Sequence, residues 1–284
     1  MIKVKGLEYT YPGKQSPAVN NIDFDVNRGE IFGFLGPNGA GKSTTQKILI
    51  GLLKAYKGDV QVFDEDITRP GPEYYGKIGV AFEFPNLYGK FTALENLEFF
   101  SSLYPGKNED PLKLLEKVGL QKEANDRVSG FSKGMKMRLN YIRAFLHNPE
   151  VVFLDEPTSG LDPVNARHIK DLILEARESG KTIFLTTHNM AAADELCDRI
   201  AFMVDGKLKL IDSPRNLKIM HGKPKVTVES VNGSGKLVKE FTLENLGNNK
   251  DFTDFLKKGN VEMIHTQEAS LDDIFIKTTG RRLI

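Results

Sequence analysis

The 284 residues contain no tryptophan, a single cysteine and no long apolar run. One thiol, Cys197, cannot close an internal disulfide; this excludes a disulfide-stapled scaffold and fits a buried residue in a reducing compartment. No stretch approaches the roughly 20 consecutive apolar residues that cross a bilayer, and residues 1–5 start directly on an alternating strand pattern. The chain is therefore expected neither to enter nor to span a membrane by itself. An excess of one charge is also missing, since 39 Lys and Arg stand against 38 Asp and Glu. That balance argues against a broad electrostatic footprint for nucleic acid, so any anion must be gripped locally. Internal repeats and low-complexity segments are absent. With 40% hydrophobic residues, the chain is long enough to bury a large core.

What is present alternates between strand and helix periodicities. Residues 2–11 and 22–26 read as half-buried strands, and Ile31–Leu35 as a fully buried one. A helix is predicted over about 42–53, with short strands at 60–63 and 78–82. The pattern then turns helical: Thr92-Ala93-Leu94-Glu95 is a capping box opening a helix over 94–104, followed by helices over 112–118 and 135–147. Strands return at 151–154 and 182–186 around a helix at 164–178, a helical stretch spans 191–198, and a hairpin over 200–211 turns at Asp205-Gly206. Beyond it, strands at 226–230 and 237–243 flank Asn232-Gly233-Ser234-Gly235, followed by a helix near 251–257, a strand near 261–265 and a last helix capped by Ser270. The expected fold is α/β: a mostly parallel sheet with flanking helices, an antiparallel β part near the N-terminus, and a helical subdomain inserted at about 84–148. The domains are expected to divide as 1–213 and a small α+β appendage, 214–284.

Two motifs carry chemistry. Gly36-Pro37-Asn38-Gly39-Ala40-Gly41-Lys42-Ser43 matches G-x-x-x-x-G-K-S between a predicted strand and a predicted helix, the context of a Walker A phosphate loop. Its glycines let successive N–H groups converge on an anion, and the helix N-terminus adds roughly half a positive charge. Lys42 is expected to reach the β- and γ-phosphates and Ser43 to ligate Mg²⁺, with Thr44 continuing the nucleotide contact. Val151-Val152-Phe153-Leu154-Asp155-Glu156 is a strand ending in two carboxylates, as in Walker B. Asp155 is expected to serve Mg²⁺ through water, and Glu156 to polarise the attacking water.

Phe131-Ser132-Lys133-Gly134-Met135, shortly before Arg138 and Ile142-Arg143-Ala144-Phe145 and leading into Asp155-Glu156-Pro157, resembles the signature motif of the ATP-binding cassette (ABC) ATPases. Ser132 caps a helix and Gly134 exposes amides at its positive end, a second phosphate-binding surface. The resemblance covers the first 210 or so residues. It implies a RecA-like P-loop NTPase core and a homodimer or heterodimer in which Ser132 and Gly134 meet the γ-phosphate held by the opposite subunit. It further implies that Tyr11 stacks on adenine, that Ser159-Gly160-Leu161-Asp162 is the loop through which subunits communicate, and that His188, after Thr186-Thr187, hydrogen-bonds the γ-phosphate. The implied activity is an Mg-dependent ATPase, with ATP and Mg²⁺ as cofactors. It would power transport through a separate integral-membrane permease at the cytoplasmic face of the cell membrane, with no nucleic-acid partner.

The chain also departs from that family. Glu83, in Ala81-Phe82-Glu83-Phe84-Pro85, stands where glutamine is usual; it is expected to ligate Mg²⁺. Its negative charge beside phosphates costs about 1 kcal/mol per unit-charge pair in water and about 4 at an effective dielectric of 20. Lys133 replaces the usual first glycine and Met135 the usual glutamine, and Lys133 either adds charge toward the opposite phosphate or faces solvent. The nearby Phe84, Leu87, Tyr88 and Phe91 suit either a docking groove for a permease helix or a structural core. Near the C-terminus, Glu268-Ala269-Ser270-Leu271-Asp272-Asp273-Ile274-Phe275 is similar to the ending of cassette subunits from drug, antibiotic and polysaccharide exporters, though a helix that only packs the appendage is equally compatible. Two other classes stand beside the exporter: a nucleotide-gated switch with little turnover, for which Glu83 is the warrant, and a non-transport ABC ATPase. The latter lacks here the long coiled-coil insertion or the second fused cassette that such proteins carry.

Overall fold

The computed structural model describes residues 1–106, 108–222, 225–232, 235–258, 260–267 and 269–281. The alternating N-terminal pattern forms β1 (Ile2–Tyr9), which pairs antiparallel with β2 (Val19–Val26) on one side and β4 (Lys57–Val62) on the other, with β5 (Glu65–Asp66) at the edge. The apolar runs build a second, six-stranded sheet. Its order is β10 (Lys207–Asp212), β9 (Arg199–Val204), β3 (Ile31–Leu35), β8 (Thr182–Thr187), β7 (Val151–Asp155), β6 (Ile78–Ala81). The five strands from β9 to β6 run parallel, and β3, β7 and β8 are buried at every position, as strands covered on both faces must be. Phe24 of β2 packs on Phe32, Phe34 and Phe184 at ring-centroid distances of 5.9, 4.9 and 6.2 Å, joining the two sheets through one aromatic core.

Capping side chains start most of the helices. α1 (Lys42–Leu49) follows β3 and stops four residues short of expectation, because Gly51 turns left-handed at φ 75°. α2 (Pro72–Lys77) was not anticipated; its one sequence signal is Pro72 at the first helical position. Thr92 and Glu95 exchange both bonds of the capping box at the head of α3 (Ala93–Ser101). α4 (Pro111–Lys117) is capped by Asp110, and α5 (Lys133–Arg143) by Ser132, so α5 begins and ends earlier than periodicity suggests. α6 (Pro163–Glu178) and α7 (Met190–Leu196) lead into β8 and β9. Cys197 follows α7, and burial pushes its thiol pKa up.

The chain forms two compact units, Met1–Ile211 and Asp212–Arg282. The second opens with α8 (Pro214–His221), a further helix not anticipated from periodicity. Its sheet has β11 (Lys225–Asn232) paired antiparallel between β12 (Gly235–Thr242) and β13 (Asn260–Gln267). Val226, Val228 and Phe241 of that sheet pack on Phe252 and Phe255 of α9 (Lys250–Lys258). Ser270 and Asp273 form a capping box at the start of α10 (Leu271–Thr279). Gly233 and Ser234 of the expected turn, and Glu268 of the exporter-like ending, lie outside the described residues. Among the described residues no helix is long and apolar enough to cross a membrane.

Candidate functional site

The site grows from the C-terminal ends of β3, β7 and β8. After β3 the chain must turn tightly against β9: a Cβ on Gly36 would lie 2.1 Å from the Met203 carbonyl oxygen, and one on Gly41, at φ +111°, 2.4 Å from that of Ala18. Only glycine fits either place, so the loop curls back over the sheet and α1 starts with no side-chain cap on its first N–H groups. Amides left free in this way can receive an anion. Lys42 is 6% exposed, and its Nζ donates to the carbonyls of Gly36 at 2.6 Å and Pro37 at 3.0 Å. Burial lowers the Lys42 pKa, opposed by the charges of Glu156, Asp155 and Glu83, in that order. One ammonium and three carboxylates therefore share one field.

The two Walker B carboxylates part ways at a backbone feature. Glu156 sits at φ 48°, the left-handed region that a branched or long side chain rarely adopts, and its N–H donates to Thr186 O at 2.9 Å. Asp155 faces α1, where Ser43 Oγ reaches its Oδ1 at 3.2 Å and the Thr186 hydroxyl bonds the same oxygen. Glu156 turns instead to β8: Oε2 accepts from the Thr187 hydroxyl at 2.9 Å, and Oε1 from the His188 N–H at 2.8 Å with His188 Nδ1 at 2.7 Å. Tyr11 lies beyond β1, edge-on to Tyr9, with its hydroxyl 3.2 Å from Thr44 Oγ1.

The signature residues gather in a second group. The Ser132 hydroxyl accepts from Met135 N at 3.2 Å, and Gly134 faces Leu161. Lys133 lays its side chain across Gly160 of the same chain, with Cε 2.7 Å from where a Cβ would stand. Its stem thus lies over the loop before α6, and the residue is exposed, as the solvent-facing alternative has it. Asp162 caps α6, accepting from Val164 N and Asn165 N at 3.1 Å each, and the Asn165 side-chain bond, then its backbone bond, hold the carboxyl pKa down.

Sequence reasoning left unassigned a link between this second group and Glu83. Asn140, 1% exposed on α5, donates to Phe82 O at 2.8 Å; Arg143, one turn on, donates to Asn86 O at 2.7 Å and to Asn140 Oδ1 at 2.8 Å. The segment bearing Glu83 is thereby held at both ends by the helix that Ser132 caps. The adjoining groove, about 600 Å³, is lined by Leu87, Tyr88, Phe100, Tyr104 and Arg143 among others. Phe84, between the lining residues Phe82 and Asn86 in sequence, is 74% exposed, so this residue is no core element.

Among the described residues no cluster of three or more His, Cys, Asp or Glu forms a cation cage. What converges on the phosphate loop is a hydroxyl and a carboxylate, Ser43 and Asp155, with Glu83 in the same field. Such a sparse set of hard oxygens fits Mg²⁺, which keeps waters and takes phosphate oxygens; it does not fit a structural zinc.

A family model described as "ABC transporter" matches residues 19–159, and one described as "Fluoroquinolone efflux ABC transporter C-terminal domain" matches residues 225–268. A fluoroquinolones export ATP-binding protein of Mycobacterium tuberculosis (strain CDC 1551 / Oshkosh) is 53% identical over 284 residues, covering 100% of this chain and 94% of the relative. The linearmycin resistance ATP-binding protein LnrL of Bacillus subtilis (strain 168) is 32% identical over 311 residues, covering 100% and 99%. Among solved structures, a dimeric post-hydrolysis state of the ATP-binding cassette MJ0796 bound to ADP and Pi superposes with a TM-score of 0.70 at 29% identity, covering 76% of this chain and 99% of that one.

Proposed function

This chain belongs to the ATP-binding subunits of ABC transporters, and on that premise we propose that it powers export of a fluoroquinolone-class drug through a separate membrane permease. It is an ATPase subunit. The drug class rests on the whole-length likeness to a fluoroquinolones export ATP-binding protein and on the matched segment 225–268. The observation carrying the catalytic reading is Glu156, whose carboxylate is aimed by Thr187 and His188 within the electrostatic reach of Lys42.

ATP would enter with its adenine against Tyr11 and its phosphates in the amides of residues 36–44, where Lys42 neutralises charge on the β- and γ-phosphates. Mg²⁺, held by Ser43, Asp155 and Glu83, would supply electrophilic stabilisation of the phosphoryl oxygens. Glu156, fixed by three hydrogen bonds, takes the proton of the attacking water; His188 steadies that carboxylate and turns its other nitrogen to the γ-phosphate. Ser132 and Gly134 of a second copy or a related subunit would close over the same phosphate. The closed pair transmits its movement through the groove beside Phe84 to the permease, which keeps the subunit at the cytoplasmic face of the membrane. The test is ATP-driven fluoroquinolone uptake into inverted vesicles containing this subunit and its membrane permease. Uptake that vanishes with Glu156→Gln supports the reading. ATP turnover without fluoroquinolone movement overturns the drug class and leaves the ATPase intact.

A further inference from the structure

Gln46 lies one turn beyond Lys42 on α1, 1% exposed, and its amide Nε2 has no hydrogen-bond partner. Its Oε1 stands 3.3 Å from the Thr186 hydroxyl, which also bonds Asp155 Oδ1. Asp155 and Thr186 are cross-strand partners of β7 and β8, so the hydroxyl sits beside the carboxylate by register. A threonine hydroxyl has one proton. It cannot go to both oxygens, and a carboxylate is the stronger acceptor. With its hydroxyl proton donated in a hydrogen bond to Asp155, Thr186 presents lone pairs to Gln46, and an amide oxygen there sets acceptor against acceptor. A half-turn of the amide puts an N–H on that lone pair and gives the stranded nitrogen its partner. The two orientations differ only in which atom is named nitrogen, so the hydrogen-bond network decides between them.

We propose that Gln46 is a positioning residue for the metal-holding carboxylate, through a one-way chain in which the Gln46 amide donates to Thr186 Oγ1 and the Thr186 hydroxyl donates to Asp155 Oδ1. Ser43 also falls on Oδ1, which leaves the second carboxylate oxygen for the cation's shell. Outer partners of this kind set the rotation of a ligating carboxylate, and their loss typically weakens metal binding about 10- to 100-fold. The inference rests on the nucleotide-site reading given above.

The test is an electron paramagnetic resonance titration of Mn²⁺ into the full-length protein loaded with ADP, run on the parent, Gln46→Met, Thr186→Val and Thr186→Ser. ADP affinity without metal and the urea unfolding midpoint are measured alongside. Gln46→Met and Thr186→Val should each weaken Mn²⁺ about 10-fold with ADP affinity kept, and Thr186→Ser, which retains the hydroxyl, should bind Mn²⁺ as the parent does. A lowered urea midpoint with unchanged Mn²⁺ affinity in Gln46→Met makes the residue a packing element and overturns the proposal. If Gln46→Met does not fold, equal Mn²⁺ affinity in Thr186→Val and Thr186→Ser overturns it instead. A parent protein that takes up no Mn²⁺ with ADP removes the nucleotide-site reading and this inference together.

Discussion

His188 Nδ1 lies 2.7 Å from Glu156 Oε1, and the backbone N–H of His188 donates to that same oxygen at 2.8 Å. The histidine is thus committed through Nδ1 to the carboxylate, and only Nε2 is left for a phosphate oxygen. On the proposed reading the two would act as one unit, with the left-handed backbone of Glu156 itself setting its aim. Removing either should depress turnover more than binding.

Glu156→Gln keeps the shape but loses the basicity, so turnover should fall about 100- to 10,000-fold while ATP still binds. Trapped by unhydrolysed ATP, the variant should elute as a dimer. Single-turnover hydrolysis and size-exclusion chromatography with and without Mg-ATP check both halves, and a fully active monomer sinks the assignment.

Lys42→Ala should lose about 10- to 150-fold in ATP affinity, the equivalent of one charge-assisted hydrogen bond to phosphate at about 1.5–3 kcal/mol. In the nucleotide-free protein the same change frees the carbonyls of Gly36 and Pro37. Fluorescent-nucleotide titration measures the loss; unchanged affinity removes the loop from the site.

For Glu83 the expected order is glutamine above or equal to glutamate, and alanine far below. Glutamine retains an oxygen for Mg²⁺ and relieves repulsion toward the phosphates, whereas alanine removes the ligand. Steady-state ATPase kinetics at saturating Mg²⁺ rank the three proteins. If glutamine abolishes turnover as alanine does, Glu83 is an essential base and Glu156 is not the sole one.

Asn140→Ala strips a buried amide from Phe82 O and from the Arg143 guanidinium. The unfolding free energy should fall by about 1–3 kcal/mol, the cost of leaving a buried polar group unsatisfied. Urea denaturation followed by circular dichroism reads it. An unchanged midpoint means that Asn140 does not hold the segment bearing Glu83.

Family membership was legible in the sequence, and so was much of the fold, because both are carried by local patterns. A phosphate loop needs glycines at fixed offsets from a lysine, whatever lies around it, and Ile31–Leu35 could only be a buried strand. α2 and α8 escaped because each buries little, Tyr74 in α2 and Pro214 with Leu217 in α8, too few apolar positions for a 3.6-residue stripe to declare itself. Local spacing also singled out Lys42, Ser43, Asp155 and Glu156 and gave the last two separate expected roles, but not the partners that hold each of them. Those partners follow from the φ of 48° at Glu156 and from the β7–β8 register, which sets Thr186 beside Asp155. Gln46 and Asn140 likewise look like ordinary polar residues on helices until burial strips them of water and leaves only named partners. What the chain alone determined is therefore the chemistry it carries and the backbone that cradles it. Which side chain orients which carboxylate was decided only by packing, since hydrogen bonds between residues 31 to 140 positions apart have no signature in local sequence.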